Sequence, residues 1–455
     1  MLTREENEFM CQTGPGTPMG EFCRRFWTPV LLSEELPEPD CTPVRTKIYD
    51  EYMVAFRDTS GRVGLLQEFC PHRLSSLFFG RNEDNGLRCI YHGWKFDVEG
   101  RCVDMMNEPE ESNFKEKVRA TAYPTFEGAG CVWAYMGPPH LEPPKPELEC
   151  LLLPPEHMDT TKILYESNWV QVIEGEIDTV HSSILHSTLD QHDVAKRDGV
   201  GINDRYHLRG RPPEFFVEDT DGGILIGAVR EAEADSNYWR ISRWQFPWVT
   251  MPPGGGNGSP PEGKNALRGP IRAAFLVPID DENCWFYLCS WHPYRPYEHD
   301  ELIYKVGRGN PSRGVAPEPW KNGLIPGTWK GKANKTNDYM IDREAQRTYS
   351  FSGIPFNNGR AQDSAMTDTM GSSTTAPRWL EHLGTTDRAI IRMRRRLIQG
   401  ARDLLEGVEP YAASHPETFR VRSGQSILPK GVYFTDDPDT MDALTVPSTL
   451  QPAKT

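Results

Sequence analysis

Between residues 45 and 135 apolar positions come in short runs separated by polar and turn-forming residues. KIYDEYMVAFRDTSGRVGLL places Thr59, Ser60 and Gly61 between two such runs, and KFDVEGRCVDM repeats the signal around Glu99 and Gly100. Short alternating runs bounded by turn residues predict hairpins, and hence a small all-β unit. Ahead of it, residues 1–30 read as a polar arm broken at GPGTPMG; after it, GPPHLEPPKPELECLLLPPEH reads as a semi-rigid Pro-rich connector. From Thr161 the pattern changes. ESNWVQVIEGEIDTVHSSILHS predicts a helix, and GILIGAVREAE, NYWRISRWQF and RAAFLVPIDDENCWFYLCSW predict strands. PPGGGNGSPPEGKNALRGP between them is expected to be a mobile surface loop. TTDRAIIRMRRRLIQGARDLLEG spaces Ile390, Met393, Leu397, Ala401 and Leu404 as one face of an amphipathic helix. The expected layout is an arm (1–30), a β unit (31–145), a larger mixed unit (146–438) and a disordered tail (439–455), with no internal repeat.

A chain of 455 residues is long enough for two or three cores, and aromatics at 10% agree with folded ones. The formal net charge of −15 argues against a general nucleic-acid or anionic-membrane binder, because phosphate contact needs clustered cations. MLTREENEFM lacks the basic and apolar regions of a signal peptide, and no apolar run approaches a membrane span, so a cytoplasmic location is expected. Ten cysteines are too sparse for a disulfide scaffold at this length, which leaves metal ligation as the better use of a paired subset.

That subset is Cys70, His72, Cys89 and His92 in CPHRLSSLFFGRNEDNGLRCIYHGW. Two Cys and two His can hold zinc. Zinc knuckles, however, commonly pair like with like, whereas each loop here supplies one thiol and one imidazole. A Rieske centre binds one iron through two thiolates and the other through two imidazoles, so mixed loops suit it. A second constellation lies in NWVQVIEGEIDTVHSSILHS. At about 100° per residue, Glu174, Asp178 and His181 share a helix face, while His186 lies about 140° round from His181. Both imidazoles reach one metal only if the helix ends or bulges between them. Two histidines and a carboxylate make the facial triad of non-haem Fe(II) sites.

CPHR and CIYHGWKFDVEG resemble the cluster loops of Rieske non-haem iron ring-hydroxylating oxygenases, and Asp-x-x-His-x₄-His resembles their iron motif. The resemblance implies that His181 and His186 bind iron. Asp178 would instead accept hydrogen bonds from His181 and from a Rieske histidine of a neighbouring subunit, His92 being the expected one. Glu174 stands beside it as a second candidate catalytic carboxylate. NNGRAQDSAMTDTMGSS offers Asp363 or Asp368 as third ligand; its QD followed by EHLGTTDRAIIRMRRRL resembles the phthalate dioxygenase family and implies Asp363, with Asp368 as alternative. The resemblance further implies an α+β fold: an antiparallel β Rieske domain on a catalytic domain whose curved antiparallel sheet is covered by helices, in the helix-grip or START-like manner. It also implies one [2Fe–2S] cluster and one mononuclear Fe(II) per chain, and a homotrimer or stacked trimers.

No G-x-G-x-x-G joins a strand to a helix, so no bound flavin or NAD is expected and a separate NADH-dependent reductase is. Arg205, Arg209, Arg211, Arg240 and Arg243 crowd the strands expected to wall a pocket, and an arginine fork suits a carboxylate. Ser182, Arg211 and Arg243 are the substrate-binding candidates, while RMRRR at 392–396 reads as a solvated helix face. The expected activity is hydroxylation of an aromatic carboxylate with O2, by phthalate-like ring dihydroxylation. O-demethylation of a methoxylated aromatic acid is the alternative, and a Rieske electron carrier or zinc-stabilised binding module is the rival of another class.

Overall fold

The hairpins expected around Gly61 and Gly100 shape the first half of the chain. The computed structural model describes residues 2–109, 111–190, 206–207, 212–253, 270–297, 323–355, 359–371 and 376–451. Val44–Ile48, Glu51–Arg57 and Val63–Gln67 pair antiparallel in chain order. Arg81–Glu83, Gly86–Arg88, Trp94–Phe96 and Cys102–Met105 form a four-stranded antiparallel meander. Thr28–Leu32, Cys131–Ala134 and Thr125–Gly128 make a third sheet. Val54, Phe56, Leu66, Leu77, Leu87 and Phe96 supply a small core beneath the two cysteine loops, so the loops project from a rigid support.

The second half is built on one eight-stranded antiparallel sheet. Its order is Met158–Tyr165, Cys284–Trp291, Ile271–Pro278, Val249–Met251, Ser236–Gln245, Gly223–Glu231 and Glu214–Thr220, with Gly424–Pro429 also paired to Ser236–Gln245. Side chains alternate across the sheet, and register fixes which share a face. Ile224, Ile226, Ala228 and Arg230 lie opposite Trp244, Ser242, Arg240 and Tyr238, so all eight share one face. Leu225, Trp239 and Ile241 occupy the other, packed with Leu428, Phe434 and Leu444. The helices Trp169–Ile177 and Arg388–Leu405 cover the first face, and Gly359–Thr367 packs against Trp169–Ile177. The Arg388–Leu405 helix buries Met393, Leu397 and Ala401, as its apolar spacing predicts. Behind the other half of the sheet, Trp133 of the N-terminal unit meets Phe275 edge-on at 5.2 Å.

Two expectations about the ends are corrected. Residues 1–30 are not a loose polar arm: Arg4–Cys11 is a helix with a capping box made by Thr3 and Glu6, and Pro18–Cys23 is a helix capped by Thr17. The GPGTPMG break is therefore a helix start. Met10, Cys11, Met19, Phe22 and Cys23 are buried, with Phe22 edge-on to Phe246 at 5.6 Å. Nor is the tail disordered from Pro438: Asp437 caps a Pro438–Ala443 helix, and Leu444 and Val446 are buried beyond it. Both segments are short, and their order comes from tertiary burial that local composition does not announce. The expected mobile loop falls almost wholly outside the described residues, at 254–269.

Candidate metal centres

Cys70 and His72 follow the Val63–Gln67 strand, and Cys89 and His92 lie between Gly86–Arg88 and Trp94–Phe96. The two loops share one backbone design. The carbonyl of Cys70 accepts from the N–H of Leu74 at 2.9 Å, and that of Cys89 from Gly93 at 3.0 Å. Leu74 and Gly93 both take positive φ, +59° and +78°; at Gly93 a Cβ would press on Met106, which explains the glycine. Both sulfurs are buried, and the Ser75 hydroxyl lies 3.3 Å from that of Cys89. The paired thiols favour sharing one proton: the hydrogen bond between them lowers the pKa of Cys89 and raises that of Cys70. The imidazoles of His72 and His92 sit with centroids 4.5 Å apart, and His72 stacks on Trp94 at 4.3 Å.

This quartet fits a two-iron cluster better than zinc. A tetrahedral zinc draws all four donor atoms onto one point, about 2.0–2.3 Å from each. Among the described residues the only group of three or more donors within 4.8 Å of one another lies elsewhere, at His181, His186 and Asp363. The Cys/His donors are spread, as they must be where thiolates and imidazoles hold different irons.

At the second centre the Trp169–Ile177 helix, capped by Asn168, ends before either histidine. Asp178 leaves the helix with ψ 103°, and His181–Ser183 forms a separate 3₁₀ turn. A run of tight turns after the helix, rather than a common helix face, brings His181 and His186 together. Oδ1 of Asp363, on the Gly359–Thr367 helix, lies 3.5 Å from His181 Nε2 and 3.0 Å from His186 Nε2. Oδ2 of Asp178 lies 3.6 Å from Nδ1 of His181, and its Oδ1 accepts from Val180 N at 2.7 Å. Burial opposes charge on His181, but Asp178 and Asp363 overcome it and hold the imidazole up at about 10. Burial likewise raises Asp363, yet the two histidines hold it well below the usual carboxylate range. A nest of carboxylates that stabilises positive charge on its own ligands is matched to a divalent cation.

Asp368 does not join this group; its Oδ2 accepts from the Tyr339 hydroxyl at 2.7 Å. Glu174, expected as catalytic, is instead clamped between Arg378 at 2.9 Å and Arg394 at 2.7 Å. Arg378 also donates to Asn7 at 2.9 Å, so Glu174 ties the N-terminal helix to the catalytic half. Arg243 is corrected as a substrate ligand: it lies on the sheet face opposite Trp244, and its Nε points to the carbonyl of Arg422 at 3.4 Å. Period two decides this, since Arg240, three residues earlier, is on the helix-covered face. Arg205, Arg209 and Arg211 lie outside the described residues.

Residues that the motifs did not single out complete the site. Gln362 is fully buried beside Asp363; it donates to the Ile354 carbonyl at 3.2 Å and accepts from His186 Nδ1 at 2.6 Å. That fixes the proton on Nδ1 and leaves Nε2 for a metal. His207 is buried, with Nε2 2.7 Å from the hydroxyl of Ser182. Arg230 and Arg240 share one sheet face, and their charges reach His207 together with those of His181 and His186. The QD dipeptide contained Gln362, but only the fold shows its side chain turned inward; nothing in the local pattern marks His207.

Residues 26–124 match the Rieske [2Fe-2S] domain family, and residues 134–443 match the family described as LigXa C-terminal domain like. The chain is 37% identical over 457 residues to the phthalate 4,5-dioxygenase oxygenase subunit of Pseudomonas putida, covering 96% of this chain and 94% of that one. It is 36% identical over 441 residues to the 3-chlorobenzoate-3,4-dioxygenase oxygenase subunit of Comamonas testosteroni, covering 95% and 96%. The crystal structure of dicamba monooxygenase bound to dicamba shares the fold, with TM-score 0.52 at 17% identity over 85% of this chain and 99% of that one. With its mixed Cys/His loops, its His181–His186–Asp363 triad and this likeness along almost its whole length, the chain belongs to the Rieske non-haem iron oxygenases, as an oxygenase subunit with a LigXa-type catalytic half.

Proposed function

We propose that this oxygenase acts on an aromatic carboxylate, adding oxygen from O2 to the ring with electrons from a separate NADH-dependent reductase. Cys70, His72, Cys89 and His92 would hold the [2Fe–2S] cluster, and His181, His186 and Asp363 the mononuclear iron. When bound, the cluster supplies single electrons and the iron a binding site for O2. The chain's own residues do the positioning: Asp178 orients His181 and Gln362 orients His186.

The observation that carries the substrate class is a buried guanidinium. Arg230 is 7% exposed, and its Nε and Nη1 have no hydrogen-bond partner among the described residues. Burial lowers its pKa to about 10 and lowers that of Arg240 beside it. A buried charge lacking a counter-ion costs several kcal/mol, and a substrate carboxylate would provide one. Two relatives named for phthalate and 3-chlorobenzoate support an acidic ring. The test compares an acid with its methyl ester. Wild type should bind the acid at least about tenfold more tightly, and Arg230→Met should remove most of that difference. Equal binding of acid and ester by wild type sinks the carboxylate reading.

Assembly is read the same way. Leu74, Ile90, Tyr91 and Met106 are exposed around the cluster loops, and Ile184, Leu189 and Phe351 are exposed on or near the turn that carries the iron histidines. Docking the first patch of one copy on the second patch of the next would bring His92 toward Asp178 in a closed trimer, or a hexamer of two. Light scattering should find a trimer or hexamer; a fully active monomer contradicts it. Among the described residues no helix is long and apolar enough to cross a membrane, and we place the protein in the cytoplasm.

A further inference from the structure

Ser182 lies between the iron histidines, yet both of its hydrogen bonds are internal. Its hydroxyl is 3.1 Å from the Thr179 carbonyl and 2.7 Å from Nε2 of His207. A carbonyl only accepts, so making both bonds commits the single serine proton to Thr179. The imidazole must then donate its Nε2–H to the serine oxygen. Nδ1 of His207 is left as a bare lone pair. It is buried, in a residue only 3% exposed, and has no hydrogen-bond partner among the described residues.

Protonation does not relieve it, because burial and then Arg240 and Arg230 push the His207 pKa far down. Water or a ligand would satisfy this acceptor, since a buried one left unpaired is destabilising. The charges of Arg230 and Arg240 reach this imidazole, and Nε and Nη1 of Arg230 are themselves unpartnered among the described residues, a demand of opposite kind.

We infer that His207 is a specificity-determining residue whose Nδ1 accepts a hydrogen bond from an uncharged donor on the substrate ring, a phenolic hydroxyl, while Arg230 takes the carboxylate. Ser182 is then a positioning residue that fixes the imidazole tautomer, rather than a direct substrate ligand. The preferred substrate class becomes a hydroxylated aromatic acid. The inference rests on the carboxylate reading above and narrows it.

The test measures dissociation constants by calorimetry on anaerobic holoenzyme, comparing phthalate and benzoate with 4-hydroxyphthalate and the 2-, 3- and 4-hydroxybenzoates. At least one hydroxylated acid should bind about tenfold more tightly than its parent, and His207→Phe should bring that pair within about twofold while keeping the acid-over-ester preference. Ser182→Ala, a milder change, should shrink the hydroxyl preference because the imidazole proton becomes free to move to Nδ1. The inference is overturned if no hydroxylated acid binds better than its parent, or if the preference survives either substitution. Loss of acid-over-ester discrimination in wild type counts instead against the carboxylate reading.

Discussion

Gln362 and His186 are joined by a 2.6 Å hydrogen bond from the imidazole Nδ1 to the amide oxygen, and the next residue, Asp363, meets the other nitrogen of the same ring at 3.0 Å. On the proposed assignment, one helical dipeptide supplies both an iron ligand and the group that orients another. Gln362→Met keeps the volume but removes the acceptor. Fe(II) affinity, measured by chelator competition, should fall about 10- to 100-fold, and Gln362→Glu should restore it. Unchanged affinity in the methionine variant would reduce Gln362 to a packing residue.

Asp178 holds the corresponding place on His181, at 3.6 Å from Nδ1, without reaching the metal position. Asp178→Asn should keep cluster and iron content within about twofold of wild type while turnover falls about a hundredfold. Loss of iron in parallel with activity would make Asp178 a determinant of metal binding instead.

How much of this was legible in the sequence depended on whether a feature was local. The cluster loops were, because Cys70 to His72 and Cys89 to His92 each fit within one turn of backbone. That His181 and His186 come together was legible as a motif, although the helix ends at Ile177 and an intervening turn, not a helix face, joins them. Asp363 stood out from Asp368 only through family likeness; in the fold, Tyr339 occupies Asp368 and the histidines face Asp363. Arg243 failed for a simple reason. Its strand is buried on both faces, so composition gave no sign of which parity faces the iron. Glu174 failed because its arginine partners lie more than two hundred residues away.

The Glu174 clamp separates structural from catalytic roles. Glu174→Gln leaves Arg378 and Arg394 short of their counter-charge, and the urea midpoint should drop by the equivalent of about 3–5 kcal/mol. The Fe(II) affinity of the folded variant should stay near wild type. A variant of normal stability that has lost turnover would return Glu174 to the catalytic list.

Asp368 gives a pH signature. Burial pushes its carboxyl up to about 6 from an ordinary 3.8, so the folded state prefers the protonated form. The native protein carries the cost of the ionised form above about pH 6, and that cost disappears as pH falls below the unfolded value. Asp368→Asn, which can still accept from Tyr339, should therefore be more stable than wild type at pH 7.5 by up to about 3 kcal/mol, with the gap closing toward pH 4. A gap that widens on acidification would reverse the sign and refute the assignment.

The fate of an aromatic acid under isotopically labelled O2 tests ring oxygenation of a carboxylated substrate most directly. Holoenzyme with a generic NADH-dependent reductase should turn over at least one member of a panel of phthalates, benzoates and their hydroxylated forms, placing labelled oxygen on the ring carbon skeleton. Oxidation confined to uncharged esters, or formaldehyde released from methoxybenzoates with no label entering the ring, would contradict it.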